Sequence, residues 1–273
     1  MWNKTSSFIF LVVVLSLSAC AKQEQELTLP QIWDESRTPE ATWNCEGVAS
    51  AEAGRVLPVS IFVGQGVRAD HVKRSLVAAS DALASYGIRL ELNPRIQRLP
   101  KENLITIDPS KLRRLVKKGV GQAKLEAKLL GGIKVLIQTH SRPRIEGTHW
   151  IFLKEIVPET GLASRILGDV AGVGLSPELV EKAKGERVGS SWVQAAGLEG
   201  DFTPTMVVST LSLQKKDEKE VGLTLVHELG HAFGLPHTKD AEGDLMGLEL
   251  PTCVPKLGEV QKQAFLDGTR SVK

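Results

Sequence analysis

The sequence predicts a mixed α/β (α+β) fold, in which helices pack on a sheet, and three observations predict it. An apolar strand at Val56–Val63, an amphipathic helix at Ala69–Tyr86 and an alternating strand at Ile88–Leu92 follow one another, as at the start of an α/β unit. A later helix with one apolar face ends near Gly234. Hydrophobic residues make up 42% of the chain, which is enough to build a core.

The chain divides into a targeting segment (1–19), an N-terminal arm (20–55) and one large domain (56–273). Because the arm is polar and carries Pro30 and Pro39, we expect it to act as a tether that lifts the domain off the membrane. Residues 161–200 are rich in glycine and show no clear element, as in an insertion over a cleft. The same periodicities predict two short helices, two strands, a strand before the later helix and a C-terminal helix, namely Pro109–Leu130, Ile133–Gln138, His149–Lys154, Thr205–Leu213 and Lys256–Asp267.

The strongest functional signal is the pattern H-E-x-x-H-x-x-G-x-x-H, whose fixed residues are His227, Glu228, His231, Gly234 and His237. At about 100° of rotation per residue, His227 and His231 share one helix face, and Glu228 lies on its flank. Gly234 can adopt a positive φ and end the helix, so that His237 can return to the same metal ion. This spacing is typical of a catalytic Zn²⁺ site with three imidazole ligands, an open fourth position and a glutamate as general base.

The other histidines carry no comparable pattern. His71, His140 and His149 are expected to be ordinary core or surface residues. His140 and His149 could share a second, structural zinc, but no cysteine or aspartate at ligand spacing supports such a site.

The extended motif resembles that of the metzincin zinc metallopeptidases, and its flanks are most similar to the matrixin branch. The family has a methionine in a tight turn beneath the zinc, and Asp244-Leu245-Met246-Gly247 matches that turn, which gives Met246 this structural role. A C-terminal helix follows the turn in the family, as Lys256–Asp267 does here. The resemblance covers about Val207 to Phe265. It implies a twisted mixed sheet, a long helix, the zinc-binding helix and a small C-terminal subdomain after the third histidine.

The resemblance also implies a reaction and a substrate class. In metzincins a zinc-activated water hydrolyses the peptide bond, and the motif's glutamate, here Glu228, is the general base. An edge strand of the sheet runs antiparallel to the substrate, and we expect Thr205–Leu213 to take that place. The implied substrates are extended protein or peptide segments, and the implied cofactor is one Zn²⁺ ion.

The sequence also departs from known branches of the family. Leu248 stands where astacin-like and serralysin-like members carry a tyrosine ligand, two residues after the methionine. Matrixins usually continue with Tyr-Pro after the methionine, whereas this chain has Gly247-Leu248. The cysteine-rich cluster of the archaemetzincin branch is missing. These differences indicate a divergent matrixin-like sequence.

The N-terminus predicts export and lipidation. Lys4 is followed by an apolar run, Phe8–Leu17, of about ten residues, too short to span a bilayer as a helix. The sequence Leu17-Ser18-Ala19-Cys20 resembles a bacterial lipobox, in which the cysteine is acylated and anchors the protein to a membrane. The expected location is the bacterial cell envelope, on the outer membrane facing the periplasm or on the cell surface rather than on the inner membrane. The alternative is an ordinary signal peptide that happens to contain a cysteine after Ala19.

Two cysteines remain when Cys20 is set aside. Cys45 and Cys253 are an even pair in an exported chain, which favours one disulfide between them. One alternative is that Cys45 caps the zinc in a latent form, as a pro-segment cysteine does in matrixins. The matrixin motif Pro-Arg-Cys-Gly is absent, because Trp43-Asn44 and Glu46-Gly47 flank the cysteine. Unpaired thiols are the other alternative.

Composition argues against nucleic acid as a partner. The formal net charge is only +2, and no basic cluster with interleaved aromatic residues occurs. Lys111–Lys118 is locally basic, and we expect it to be the solvated face of an amphipathic helix. Contact with anionic lipid or an acidic partner is the alternative for this segment.

The sequence therefore predicts a zinc-dependent endopeptidase on a lipid-anchored protein. Two other functions stay open, namely a zinc-stabilised lipoprotein that binds without cutting and a zinc amidase that acts on cell-wall peptides. The glutamate of the motif is intact, and a purely structural site would need a fourth protein ligand, so both observations favour the enzyme.

Overall fold

The computed structural model describes residues 27–39, 43–49, 51, 54–99, 147–156, 171–176, 203–238, 243–247 and 249–271. Within these residues the helices are α1 (Leu29–Ile32), α2 (Ala69–Ala84), α3 (Thr210–Gln214), α4 (Glu218–Ala232) and α5 (Glu259–Asp267). The strands are β1 (Arg55–Val63), β2 (Ile88–Leu92), β3 (Gln97–Arg98), β4 (Thr148–Leu153), β5 (Gly172–Leu175), β6 (Thr205–Ser209) and β7 (Arg270–Ser271).

The strands form one mixed sheet in the order β2-β1-β4-β6-β5. Strand β1 is parallel to β2 and β4, and β4 is parallel to β6, whereas β5 is antiparallel to β6. The short strands β3 and β7 also pair with β1 but are not part of this order. The predicted mixed α/β class is confirmed.

One face of the sheet packs against α2 and α4. Alternate residues of a strand point to the same face, and those of β1 join one apolar cluster with side chains of both helices. Members of this cluster are Leu57, Val59, Ile61, Val63, Val72, Leu76, Leu83, Leu225, Val226 and Leu229. The helices approach closely at Gly222, where an added Cβ would lie 2.6 Å from the Ala78 carbonyl oxygen. The apolar stripe predicted for the histidine-bearing helix therefore faces the core, as expected.

Several predicted elements are confirmed with shifted ends. The first strand, the first helix and the second strand correspond to β1, α2 and β2. The strand predicted at His149–Lys154 is β4, and the C-terminal helix begins at Glu259 rather than Lys256. The helices predicted at Pro109–Leu130 and the strand at Ile133–Gln138 lie outside the described residues.

The prediction of a single edge strand at Thr205–Leu213 is wrong in two respects. The strand ends at Ser209, whose Oγ accepts a hydrogen bond from the Ser212 N–H at 3.2 Å and so caps α3. In addition, β6 lies inside the sheet, between β4 and β5. A serine that caps a helix stops the strand here, although the apolar residues continue to Leu213.

The edge of the sheet beside β6 comes from the segment to which the sequence assigned no element. Strand β5 lies within residues 161–200 and pairs with β6 on one side. Its sequence, Gly172-Val173-Gly174-Leu175, contains two glycines, and glycine disfavours strands. The local sequence therefore does not predict this strand, which forms because it pairs with a strand distant in sequence.

The expectation of a tether is wrong for part of the N-terminal arm, which packs on the domain. Leu27, Leu29, Ile32 and Trp33 are buried in the apolar cluster. Further along, the Arg37 Nη2 atom lies 2.6 Å from the Asp81 carboxylate on α2. The hydrophobic residues of this short segment bury enough surface to hold it on the domain.

None of the helices in the described ranges is both long and apolar enough to cross a bilayer.

Candidate metal centre

The helix that carries the motif is fixed at both ends by its own sequence. At its start, the Asp217 carboxylate accepts the Glu220 N–H at 2.8 Å, and the Glu220 carboxylate accepts the Asp217 N–H at 3.3 Å, which forms a capping box. At its end, Gly234 has a φ of 89°, and the Leu235 N–H donates to the Gly230 carbonyl at 3.0 Å. This Schellman ending requires a residue without Cβ at Gly234, as the sequence predicts.

The turn after Gly234 brings the third histidine back to the helix. The Nε2 atoms of His227 and His237 each lie 3.1 Å from the Nε2 atom of His231. The ligand atoms of all three rings lie within 4.8 Å of one another. The structure therefore brings together the three histidines of the motif.

Two backbone carbonyls set the orientation of the helical rings. His227 Nδ1 donates to the Leu245 carbonyl at 2.6 Å, and His231 Nδ1 donates to the Leu235 carbonyl at 2.7 Å. A carbonyl oxygen can only accept, so each Nδ1 carries the proton. In the neutral ring, Nε2 is then a bare lone pair that points toward the centre of the group.

Burial keeps these rings neutral. It lowers the pKa of His227 below its ordinary value, and it lowers the pKa of His231 to about 4, while the hydrogen bonds to Leu245 and Leu235 oppose the change. At neutral pH both rings are thus in the form that binds metal ions.

The group fits a zinc ion on the geometry of its donor atoms. Two lone pairs at 3.1 Å with no proton between them repel one another unless a cation lies between them. Tetrahedral ligands about 2.0–2.1 Å from zinc are separated by roughly 3.3 Å, close to the distances found here. Three imidazole side chains are also a ligand set that zinc accepts in catalytic sites.

Glu228 lies against the edge strand of the sheet. A Cβ added at Gly172 would lie 2.5 Å from the Glu228 Cγ, and one at Gly174 would lie 2.1 Å from the Glu228 carbonyl oxygen. The Gly174 N–H also donates a hydrogen bond to the Glu228 carboxylate. The two glycines therefore leave room for the helix and hold its glutamate beside β5.

The carboxyl group of Glu228 titrates in an unusual range. Burial raises the pKa of this carboxyl to about 7, and the hydrogen bond from Gly174 opposes the rise. A carboxyl group with this pKa can both take up and release a proton near neutral pH.

Met246 lies under the helix in a tight turn. The turn closes with a hydrogen bond from the Gly247 N–H to the Asp244 carbonyl at 3.0 Å. Met246 is 1% exposed, and a Cβ added at Gly230 would lie 2.5 Å from its sulfur. The Thr238 N–H donates to the Met246 carbonyl at 2.9 Å, which ties the segment after His237 to the turn.

The two remaining cysteines form a disulfide. Cys45 and Cys253 are bonded, with their Cα atoms 5.0 Å apart. The Cys45 N–H donates to the Val254 carbonyl at 3.0 Å, and the Val254 N–H donates to the Trp43 carbonyl at 2.8 Å. A sulfur held in this bond cannot act as a thiolate ligand, so the structure does not support latency through Cys45.

Other sequence expectations fall elsewhere or outside the described residues. Cys20, Leu248 and His140 lie outside them. His71 accepts a hydrogen bond from the Gln214 amide at 2.8 Å, between α2 and α3. His149 is buried in β4, with its ring 5.0 Å from that of Phe62. Neither of these two histidines belongs to the three-histidine group.

Sequence reasoning missed the groups that support the motif. The carbonyls of Leu235 and Leu245 belong to the backbone, which has no sequence signal of its own. Gly172 and Gly174 could have been noticed as small residues spaced by two, but nothing in the sequence points from them to Glu228. The sequence marks Asp244 only as a neighbour of Met246 in the turn.

A metallopeptidase family model matches the part of the chain that carries this site. Residues 176–254 match the family model described as "Metallo-peptidase family M12B Reprolysin-like". A comparison with curated proteins found no match. Among solved structures, the chain is similar to the crystal structure of metalloproteinase-II from Bacteroides fragilis, with 13% identity and a TM-score of 0.41. That alignment covers 85% of this chain and spans 58% of the length of the other.

The family match is to a reprolysin-like model rather than a matrixin one, so the matrixin-like branch stays a prediction. The mixed sheet with its helices is consistent with a metzincin-like fold. The matched family and the three-histidine group together support a zinc metallopeptidase.

Proposed function

We propose that this protein is a zinc-dependent endopeptidase of a matrixin-like branch, which cuts peptide bonds in extended protein segments. The observation that carries the proposal is the convergence of three histidine Nε2 atoms, two of them on the helix that also carries a half-buried glutamate. In this proposal, His227, His231 and His237 are the metal ligands and Glu228 is the general base.

The chain's own groups account for the proton transfers. Zinc, when bound by the three histidines, would polarise the scissile carbonyl and lower the pKa of a water molecule. The Glu228 carboxylate accepts the proton of that water as the water attacks, and it then delivers the proton to the departing amine nitrogen. The Gly174 N–H holds the carboxylate in place through both transfers.

The substrate class follows from the edge of the sheet. Strand β5 is the last strand in the sheet order and pairs with β6 on one side. Among the described residues no strand pairs with the other edge of β5, and such an edge can pair with the backbone of an extended peptide, which would then lie next to Glu228. Backbone pairing requires an unfolded or looped protein segment as substrate.

The Glu228→Gln variant tests this function. It keeps the size and hydrogen bonding of the side chain but removes the basic carboxylate, so we expect zinc binding to be unchanged and peptide cleavage to fall by about 10²–10⁴-fold. The measurement is cleavage of a fluorogenic peptide library by wild type and variant, with a chelator-treated sample as the metal-free control.

The rival functions predict different results in this assay and in a comparison of casein with peptidoglycan fragments as substrates. Activity of the variant close to wild type would eliminate Glu228 as the base. Absence of cleavage by zinc-loaded wild type would favour a binding lipoprotein. Cleavage of peptidoglycan fragments without cleavage of casein would favour the cell-wall amidase.

We also propose that Cys20 carries the lipid anchor, on the outer membrane facing the periplasm or on the cell surface. The support is the lipobox-like sequence Leu17-Ser18-Ala19-Cys20. Several acyl chains on one residue give stable membrane binding, whereas a single chain gives only marginal binding. We expect Cys20→Ser to move the protein to the soluble fraction in cell fractionation, and unchanged membrane partitioning would refute the anchor.

A further inference from the structure

The turn that contains Met246 is held by one carboxylate with two hydrogen-bond donors. The Asp244 Oδ1 atom accepts the Met246 N–H at 2.8 Å. The same oxygen accepts the Gln261 side-chain amide at 2.5 Å. One donor belongs to the turn and the other to the C-terminal helix, so Asp244 joins the two.

Gln261 is placed for this contact by the start of its own helix. Its side-chain oxygen accepts the Gly258 N–H at 3.1 Å, which caps the first turn of α5. Gln261 is 7% exposed, and its amide nitrogen donates to Asp244. Both ends of this buried amide are therefore used, one to start the helix and one to hold the turn.

The turn that contains Met246 also orients a histidine of the metal centre. Leu245 lies between Asp244 and Met246, and its carbonyl accepts the His227 Nδ1–H at 2.6 Å. This hydrogen bond decides which ring nitrogen carries the proton and where Nε2 points. Removal of a group that hydrogen-bonds to a metal ligand commonly weakens metal binding, because such groups fix the orientation of the ligand.

We propose that Asp244 and Gln261 are positioning residues for the metal centre. They hold the turn so that the Leu245 carbonyl keeps the His227 ring aimed at the other two histidines. The C-terminal helix thereby contributes to metal binding without supplying a ligand. This inference rests on the proposed function only in taking His227 as a metal ligand.

The test compares zinc dissociation constants, measured by competition with a chromophoric chelator. We expect Asp244→Ala to weaken zinc binding by about 10–100-fold, the range found when groups behind a metal ligand are removed. Asp244→Asn keeps an oxygen that can accept both hydrogen bonds, so it should restore most of the affinity. The double variant Asp244→Ala/Gln261→Leu should bind zinc about as weakly as Asp244→Ala, because the contact of Gln261 with the turn is already lost in the single variant.

Gln263→Ala is the matched control. Gln263 is a glutamine on the same helix, but it is exposed and donates to Asp267 instead. Its loss should leave the zinc dissociation constant within about twofold of wild type, as surface changes away from a site usually do. If Asp244→Ala fails to fold, the zinc dissociation constant of Gln261→Leu tests the inference instead. This variant keeps the hydrogen bond between Asp244 and Met246 in the turn.

A second readout does not depend on zinc. In metal-free protein labelled with ¹⁵N-histidine, the His227 Nδ1–H should exchange slowly with water in wild type. In Asp244→Ala the exchange with water should be faster, and the signal of this proton should broaden. Zinc affinity within twofold of wild type in a folded Asp244→Ala variant would overturn the inference while leaving the peptidase proposal intact. Absence of zinc binding by wild type would overturn both.

Discussion

Backbone groups, rather than other side chains, position the functional side chains of the metal centre. The carbonyls of Leu245 and Leu235 fix the two helical histidines, and the N–H of Gly174 holds Glu228. Such groups cannot be removed by a side-chain substitution, but the space around them can be filled. The glycines of β5 are where an added methyl group would act most directly.

Gly172→Ala tests whether that space matters. The new Cβ would lie 2.5 Å from the Glu228 Cγ and 2.9 Å from its Cδ, so the glutamate must move. A displaced general base lowers the rate of the chemical step, and we expect kcat to fall by about 10–100-fold. The three atoms nearest to this methyl group all belong to Glu228, so we expect the bound zinc per chain to stay the same.

Steady-state kinetics and metal analysis of the same preparation check this prediction. A loss confined to kcat, with full zinc content, would agree with the position of Glu228 beside β5. Wild-type kcat in a folded Gly172→Ala variant would show that the contact is not used in the reaction.

At the scale of elements, helix-forming patterns were easier to predict than long-range pairing. The helix α4 follows from its capping residues, its apolar stripe and Gly234, all within one continuous segment. By contrast, β5 becomes a strand because it pairs with β6, some thirty residues away in sequence. The sequence therefore predicts the histidines of the motif but not the edge strand beside Glu228.

Short segments are also difficult to predict from the local sequence alone. Helix α1 spans only four residues, Leu29–Ile32, so it shows no helical periodicity that could set it apart from a polar arm. Strand β6 ends at a capping serine, Ser209, that also suits a strand. Both outcomes depend on the rest of the domain being in place.

Strand β4 carries a buried histidine that should make stability depend on pH. His149 is 3% exposed, and its ring nitrogens have no hydrogen-bond partner among the described residues. Burial lowers the pKa of His149 to about 4. Because the folded pKa lies below the unfolded value, the unfolded chain takes up a proton first, and stability falls as the pH drops from about 6.5 to about 4.

The expected loss for His149 between pH 7 and pH 4.5 is about 2–3 kcal/mol in the free energy of unfolding. His149→Met replaces the ring with an apolar side chain of similar size and should remove this part of the pH dependence. Urea unfolding of metal-free wild type and variant at both pH values measures the difference. Equal pH dependence in the two proteins would contradict the assignment.

At the scale of the whole molecule, distant parts of the chain meet around the turn that contains Met246. The disulfide between Cys45 and Cys253, 208 residues apart in sequence, ties the N-terminal arm to the segment that follows this turn in the chain. The C-terminal helix reaches it through Gln261, and the segment after His237 reaches it through Thr238. Residues outside the sequence motif therefore hold the geometry of the metal centre.

The central claim is that the folded chain binds one zinc ion through three imidazole nitrogens. The most direct test is the zinc content of purified full-length protein after reconstitution, combined with X-ray absorption at the zinc edge. We predict one zinc per chain, with three nitrogen ligands at about 2.0–2.1 Å, and its loss in a His227→Ala/His231→Ala variant. Folded wild type that takes up no stoichiometric zinc, or zinc that the double variant retains, would contradict the account.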